Sequence, residues 1–464
     1  MKTIYFSRRR NHSVSQPRQA VSRPQFRRPV RLSMLPIRFL IYGLATICIT
    51  LLYALRLAFH STIICQIVED DEDGFLRDDT LRQLTFQSVA FGLAIGLIPL
   101  HFMNSWGTRN VTTIFGFLGV GAAMMYPLAH RHDFYASFVV RVAQGAPLAI
   151  LLWLIAKIAS EWTPRGEMAL ALAILTSVYQ MAPFVAQITA AEMCEHFGWE
   201  YTYYSLAVLC AACHVAFYCV YTDNAQENRY AGDVEKRLIG EHKKREVVVV
   251  AATPFRAILT DATVLATWLA NIAFFSTLLI FLQYGPLYIH QLLGFSVRTT
   301  GYSGGFSHVL CLVAKISFGR LMDRCEIEMT KRLKLAWALI EVPSIGLLLA
   351  VMMVDNSLMK LSAIVLFIAI HGVAIVIIVK TQTFRSAQYS HVLANGNTLC
   401  VVVCLFVQPI IVKCLVQSNT IAEWSHVFGL HAGLVAVSII VFLVFVDSRP
   451  ARWTTDLVVD DEKI

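Results

Sequence analysis

Charge is what this chain has least of: Asp, Glu, Lys and Arg make up only 15% of its 464 residues, where soluble proteins average about a quarter. With 56% of residues hydrophobic, that shortage excludes an ordinary soluble enzyme. At roughly 20 apolar residues per membrane-crossing helix, such a composition has room for at most about thirteen spans. The sequence also contains no Walker phosphate loop, no GxSxG elbow and no HExxH zinc motif, so covalent, hydrolytic and metal chemistry have no support and no cofactor is implied. From Met1 to Arg38 there is no acidic residue at all, while Lys2, Arg8, Arg9, Arg10, Arg18, Arg23, Arg27, Arg28, Arg31 and Arg38 are basic.

This leader accounts for more than the formal net charge of +8. It reads as a disordered arm beside a membrane span that orients the chain by staying cytoplasmic, rather than as a nucleic-acid arm. The apolar run that follows is too long and too continuous for a cleaved signal peptide, and is a retained first span. Of the eleven cysteines, Cys48, Cys65, Cys210, Cys213, Cys219, Cys311, Cys400, Cys404 and Cys414 lie in or at the ends of apolar runs, which predicts buried free thiols. Cys210 to His214 spells a haem-attachment motif, but in mid-span it predicts helix packing instead.

About twelve apolar runs of spanning length recur, centred near Thr50, Ala94, Gly119, Leu151, Gln180, Leu209, Ser276, Leu312, Gly346, Phe367, Val403 and Val437. The longest polar interruption falls between the sixth and seventh, so the expected fold is an all-α membrane protein of two six-helix halves. The predicted organisation is a basic cytoplasmic N-terminus (1–38), an N-terminal half (39–221), a cytoplasmic linker (222–258), a C-terminal half (259–446) and a cytoplasmic tail (447–464). Odd-numbered loops hold Glu69-Asp70-Asp71-Glu72-Asp73, His130 to Asp133, Glu195, Arg298, Asp355 and Glu423, with few basic residues. Even-numbered loops hold Arg109, Arg165, the linker cluster, Arg324, Lys331, Arg332, Lys334 and Arg385. That asymmetry is the positive-inside pattern, with both termini cytoplasmic.

Ionisable side chains inside spans are costly and therefore mark candidate sites. Arg56 lies eighteen residues beyond Arg38, about 27 Å along a helix. It either snorkels toward the acidic loop or faces a substrate. Arg141 opens the fourth span with Gln144 on the same helical face, and a guanidinium fork beside an amide suits a carboxylate or phosphate. Glu341 in the ninth span must be paired or protonated, which makes it a candidate coupling group. Lys157 and Lys380 are near enough to span ends to snorkel, and His60, His214, His308 and His371 are expected to serve packing.

Several motifs in order resemble the anion:cation symporters of the major facilitator superfamily, which include vesicular glutamate transporters, sialin and sodium-phosphate carriers. They are Arg38-Phe39 with Tyr53-Ala54-Leu55-Arg56, Arg141-Val142-Ala143-Gln144-Gly145, Trp162-Thr163-Pro164-Arg165-Gly166-Glu167, Gly198-Trp199, Asn271, Pro286, Gln291 to Phe295, Gly319-Arg320-Leu321-Met322-Asp323-Arg324, Arg385, Asn395 and Glu423 to Phe428. The resemblance implies the major facilitator fold with a central cavity. It implies no enzyme activity, but secondary transport of a small organic or inorganic anion with a co-transported cation, sodium or proton, by a monomer in the plasma membrane or a lysosomal or vesicular membrane.

It implies that Arg56 and Arg141 engage the anion, with Gln144, Asn271 and Asn395 as polar lining. Gly319, Asp323, Arg324 and Arg109 would gate, Gly319 by allowing close helix approach. This chain also departs from the pattern. Leu148 stands where the vesicular glutamate carriers have an acid, Phe86 where they have a span-two histidine, and Phe274 where they have a span-seven basic residue. Proton coupling should therefore be weak, and a transporter-like protein that binds a ligand or partner without moving it is the alternative reading.

Overall fold

The computed structural model describes residues 36–69, 74–103, 106–164, 167–243 and 253–455. The leader up to residue 35, the acidic stretch 70–73, Arg165, the linker's Lys244 and Arg245 and the acidic tail fall outside the described residues. Among the described residues every element is helical, and twelve helices are long and apolar enough to cross a membrane. They are spans 1 (Ile37–Glu69), 2 (Asp79–Pro99), 3 (Thr108–His132), 4 (Phe134–Trp162), 5 (Leu170–His196), 6 (Glu200–Val220), 7 (Ala262–Gln283), 8 (Val297–Met322), 9 (Met329–Met353), 10 (Ser357–Ser386), 11 (Val392–Leu415) and 12 (Ile421–Phe445). A linker helix (Asp233–Lys243) separates spans 6 and 7. The expected all-α fold of two six-helix halves is met.

Local chemistry explains where the helices begin. The Asp133 side chain caps span 4 at the Ala136 N–H, 2.7 Å away, Asp261 caps span 7, Ser296 span 8 and Asn356 span 10, while Thr420 and Glu423 form a capping box at span 12. Each satisfies backbone donors that a membrane interior would leave unpaired. Glycines set the closest crossings. A Cβ on Gly92 or Gly96 of span 2 would collide with the backbone of span 4, and one on Gly301 or Gly304 of span 8 with Ala191 and Gln187 of span 5.

Cys65 and Cys194 form a disulfide between spans 1 and 5. This corrects the expectation of a free thiol at Cys65: side-chain pairing depends on which faces two helices turn to each other, and no run of sequence displays that. The bond defines a disulfide end of the bundle, and the opposite end carries the linker. At the disulfide end the seam between the halves is tied by Arg298 to Glu192 (3.3 Å), Tyr302 to Glu192 (2.7 Å) and Tyr284 to Gln83.

At the linker end each half has its own clamp. Arg38, opening span 1, donates to both oxygens of Glu167 at 2.8 Å and reaches Glu235 of the linker helix at 3.3 Å. Asp261, before span 7, accepts from Arg385 at 2.7 Å, and Arg385 also meets Asp447 beyond span 12 at 3.9 Å. Corresponding places thus hold the same connection with the charges exchanged.

Candidate functional site

The site is assembled in the N-terminal half where span 4 is interrupted. The helix Phe134–Gly145 gives way to a 3-10 turn, Ala146–Ala149, carrying Pro147, before resuming at Ile150. Proline cannot donate to the helical ladder, and Gly145 lets this break lie against the Val89 carbonyl of span 2. Arg141 and Gln144 occupy the last turn before the break.

Arg141 is fully buried and Arg56 is 2% exposed, so Arg56 does not snorkel. One Arg141 amino group, Nη1, donates to Gln144 Oε1 at 2.7 Å and to the Arg56 carbonyl at 3.3 Å, while Gln144 donates to the Ala122 carbonyl of span 3. Gln144 therefore orients the guanidinium. The Arg141 carbon lies 4.3 Å from the Phe59 ring centroid and 6.0 Å from that of Tyr126. Nε and Nη2 of both arginines have no partner, and neither ring nitrogen of His60 has one. No carboxylate among the described residues pairs with either guanidinium. His60 stacks flat on Phe86, at 5.3 Å and 2°, so an imidazole from span 1 covers the ring that replaces the expected span-two histidine.

The structure brings Arg56, Arg141 and Gln144 together, but not every expected residue. Asn271 is buried in the C-terminal half, donating to the Asn397 carbonyl at 3.3 Å and leaving its own side-chain oxygen unpartnered. Asn395 is exposed, whereas Asn397, two residues further along that helix, is buried and exchanges two hydrogen bonds with Gln382. Gly319 has open space where a Cβ would go, so the close helix approach expected there is absent. Arg324 is exposed, and the Asp323 side chain lies outside the described residues. Arg109 donates its backbone N–H to Asp223 at 3.0 Å and lays its guanidinium over Tyr218.

Sequence reasoning missed the partner of Glu341. His371 of span 10 places Nδ1 2.9 Å from Glu341 Oε2, and its Nε2 lies 3.2 Å from the Phe274 carbonyl. A carbonyl only accepts, so Nε2 carries a hydrogen, and one further proton is shared between Nδ1 and the carboxyl. Both side chains are buried, and the imidazole stacks on Phe274 and Phe367. The available signal was the helix break at Gly372, immediately after His371. Lys315 in span 8 was also missed, since one ammonium hardly alters an otherwise apolar run.

A sequence profile described as the Major Facilitator Superfamily matches residues 37–392. The chain belongs to the major facilitator superfamily. Among curated relatives, sheep (Ovis aries) sialin is 20% identical over 79% of this chain and 75% of its own length. Human (Homo sapiens) sodium-dependent phosphate transport protein 1 is 21% identical over 61% of this chain and 65% of its own length. Vesicular glutamate transporter 1 of Xenopus laevis is 24% identical over 81% and 67% respectively. All three carry the names of the group that the motifs resemble, so this chain is a divergent relative.

Among solved structures, a D-xylose-proton symporter superposes with a TM-score of 0.69 at 13% identity, covering 89% of this chain and 98% of that one. The inward-open xylose transporter of E. coli gives 0.67 at 12%, covering 88% and 96%. The family and fold are those of membrane transporters, not enzymes, and the chain is an integral multi-pass membrane protein.

Proposed function

We propose that this protein moves a small organic or inorganic anion across its membrane by alternating access, with Arg56 and Arg141 as the electrostatic ligands. One observation carries the reading: two buried arginines, joined through Arg141 Nη1 and the Arg56 carbonyl, leave four N–H-bearing nitrogens unpartnered, and no carboxylate among the described residues pairs with them. An uncompensated buried charge costs several kcal/mol, and a bound anion would offset it with two-pronged hydrogen bonds. The aromatic collar of Phe59, Phe86 and Tyr126 favours an anion with some apolar surface.

The tied seam at the disulfide end supports a state that opens toward the linker end. With the basic loops cytoplasmic, the disulfide faces an oxidising compartment, as expected outside the cell or inside an organelle. Leu148 packs against the apolar core beside the site, so uptake should respond weakly to an imposed pH gradient. A steep uphill response would redirect coupling to Glu341 and His371.

The test is uptake of labelled inorganic phosphate, glutamate and urate into proteoliposomes by wild type and Arg141→Ala. Loss of uptake in the variant is expected. Undiminished uptake removes Arg141 from the site, and tight binding without flux in wild type replaces transport with ligand binding alone.

A further inference from the structure

Every membrane-embedded cation considered so far is at an end, in a clamp or in the arginine pair, except Lys315. It lies eight residues before Asp323 in its helix, about 12 Å from the linker end. A lysine side chain is too short to cover that depth, and this one does not turn to lipid. Its ammonium crosses the seam between the halves and donates to Thr176 Oγ1 of span 5 at 3.5 Å. No carboxylate among the described residues pairs with it. One turn along its own helix is Cys311, whose sulfur lies 4.0 Å from Gln180 Nε2, and the buried Gln180 Oε1 has no partner.

We propose that Lys315 is a second anion station, the C-terminal half's contribution to the path that leads to Arg56 and Arg141; this rests on the transport reading above. The faces of two helices connect the stations. Thr176 and Tyr179 are three residues apart on span 5, Tyr179 meets Tyr53 edge-to-face at 6.3 Å, and Tyr53 is three residues from Arg56 on span 1. A carboxylate or phosphate entering from the linker end meets the ammonium first, passes the tyrosine pair and is then held by the arginines. Lys315 and the arginines belong to different halves, so an anion passing from one to the other changes which half bears the compensating charge. Occupancy then has a different interaction energy in each arrangement of the halves, which any ligand-driven change of state requires.

The experiment compares concentration-dependent uptake of labelled phosphate, glutamate and urate by wild type, Lys315→Met, Lys315→Arg and Arg141→Ala. Alongside it, the thermal stability of each purified full-length protein is measured with and without the same anions. Lys315→Met should raise KM roughly tenfold with little change in maximal rate. Its Tm without anion should be equal or higher, because an apolar chain replaces a half-buried charge. Lys315→Arg should return KM to within about twofold, since it restores a donor-bearing cation.

Normal KM in Lys315→Met together with lost uptake in Arg141→Ala would overturn this proposal and leave the arginine site standing. Normal uptake in Arg141→Ala with raised KM in Lys315→Met would remove Arg141 from the site and overturn the two-station path, leaving only an anion contact at Lys315. Wild type that neither transports nor is stabilised by any of the three anions overturns both.

Discussion

The two halves answer the same substitution differently. Each has a phenylalanine at a position where the resemblance to the vesicular glutamate carriers implies a basic side chain, and each lays a histidine from another position on that ring: His60 on Phe86, His371 on Phe274. In the N-terminal half the imidazole keeps both nitrogens free beside two unpaired guanidiniums. In the C-terminal half it is locked between Glu341 and a backbone carbonyl. One histidine leaves its ring nitrogens unpartnered and the other closes its own on a carboxylate and a carbonyl, so the two rings are set for different roles, with the first one assigned to the anion site proposed above.

Replacing each histidine by phenylalanine tests that contrast most directly. His371→Phe should lower stability by about 3–5 kcal/mol, because Glu341 is left buried without a partner, and should be seen as a large fall in Tm. Arg141→Ala should come next, at about 3 kcal/mol of lost binding or roughly a hundredfold in uptake efficiency, with the fold retained. His60→Phe should do the opposite of its counterpart, raising stability by about 1 kcal/mol as unpartnered nitrogens are removed while uptake falls a few-fold. Equal Tm changes in the two histidine variants would break the comparison.

An effect of similar size to that of His60→Phe is expected at the clamps. Burial acts to raise the pKa of Asp261, but hydrogen bonding and charge from Arg385, with help from Trp453, hold its carboxyl below the ordinary range. A depressed carboxyl contributes stability that is complete above its unfolded pKa of about 4 and is lost as pH falls through the lower folded value. Asp261→Asn should therefore cost about 1–2 kcal/mol at pH 7, and its Tm should converge on that of wild type under strong acid. Exchanging the pair, Asp261→Arg with Arg385→Asp, should recover part of the loss, as the reversed polarity of the Arg38–Glu167 clamp suggests.

Span count and the pairing of Arg141 with Gln144 were legible because each is written along a single helix, and Arg56 was marked by its depth in an apolar run. Arg141 and Gln144 share a face by spacing alone. Glu341 with His371, and Cys65 with Cys194, were not legible, since each depends on how two helices are rotated about their axes. Membrane helices hide that rotation because lipid-facing and core-facing sides are both apolar, so amphipathic periodicity is weak. Asn395 and Asn397 show how narrow the margin is, as two residues of register put one at the surface and the other in the core. Gly319 kept its place in a motif without the close helix contact that the motif implies.

The bond between Cys65 and Cys194 bears on how the protein must be made. It closes a loop over spans 2, 3 and 4, so those helices have to be inserted and packed before oxidation can capture spans 1 and 5 in register. Biosynthesis in a reducing host would supply the same helices without that covalent checkpoint. Preparations for flux measurements should therefore come from a secretory-pathway host, with the oxidised fraction counted before any variant is judged inactive.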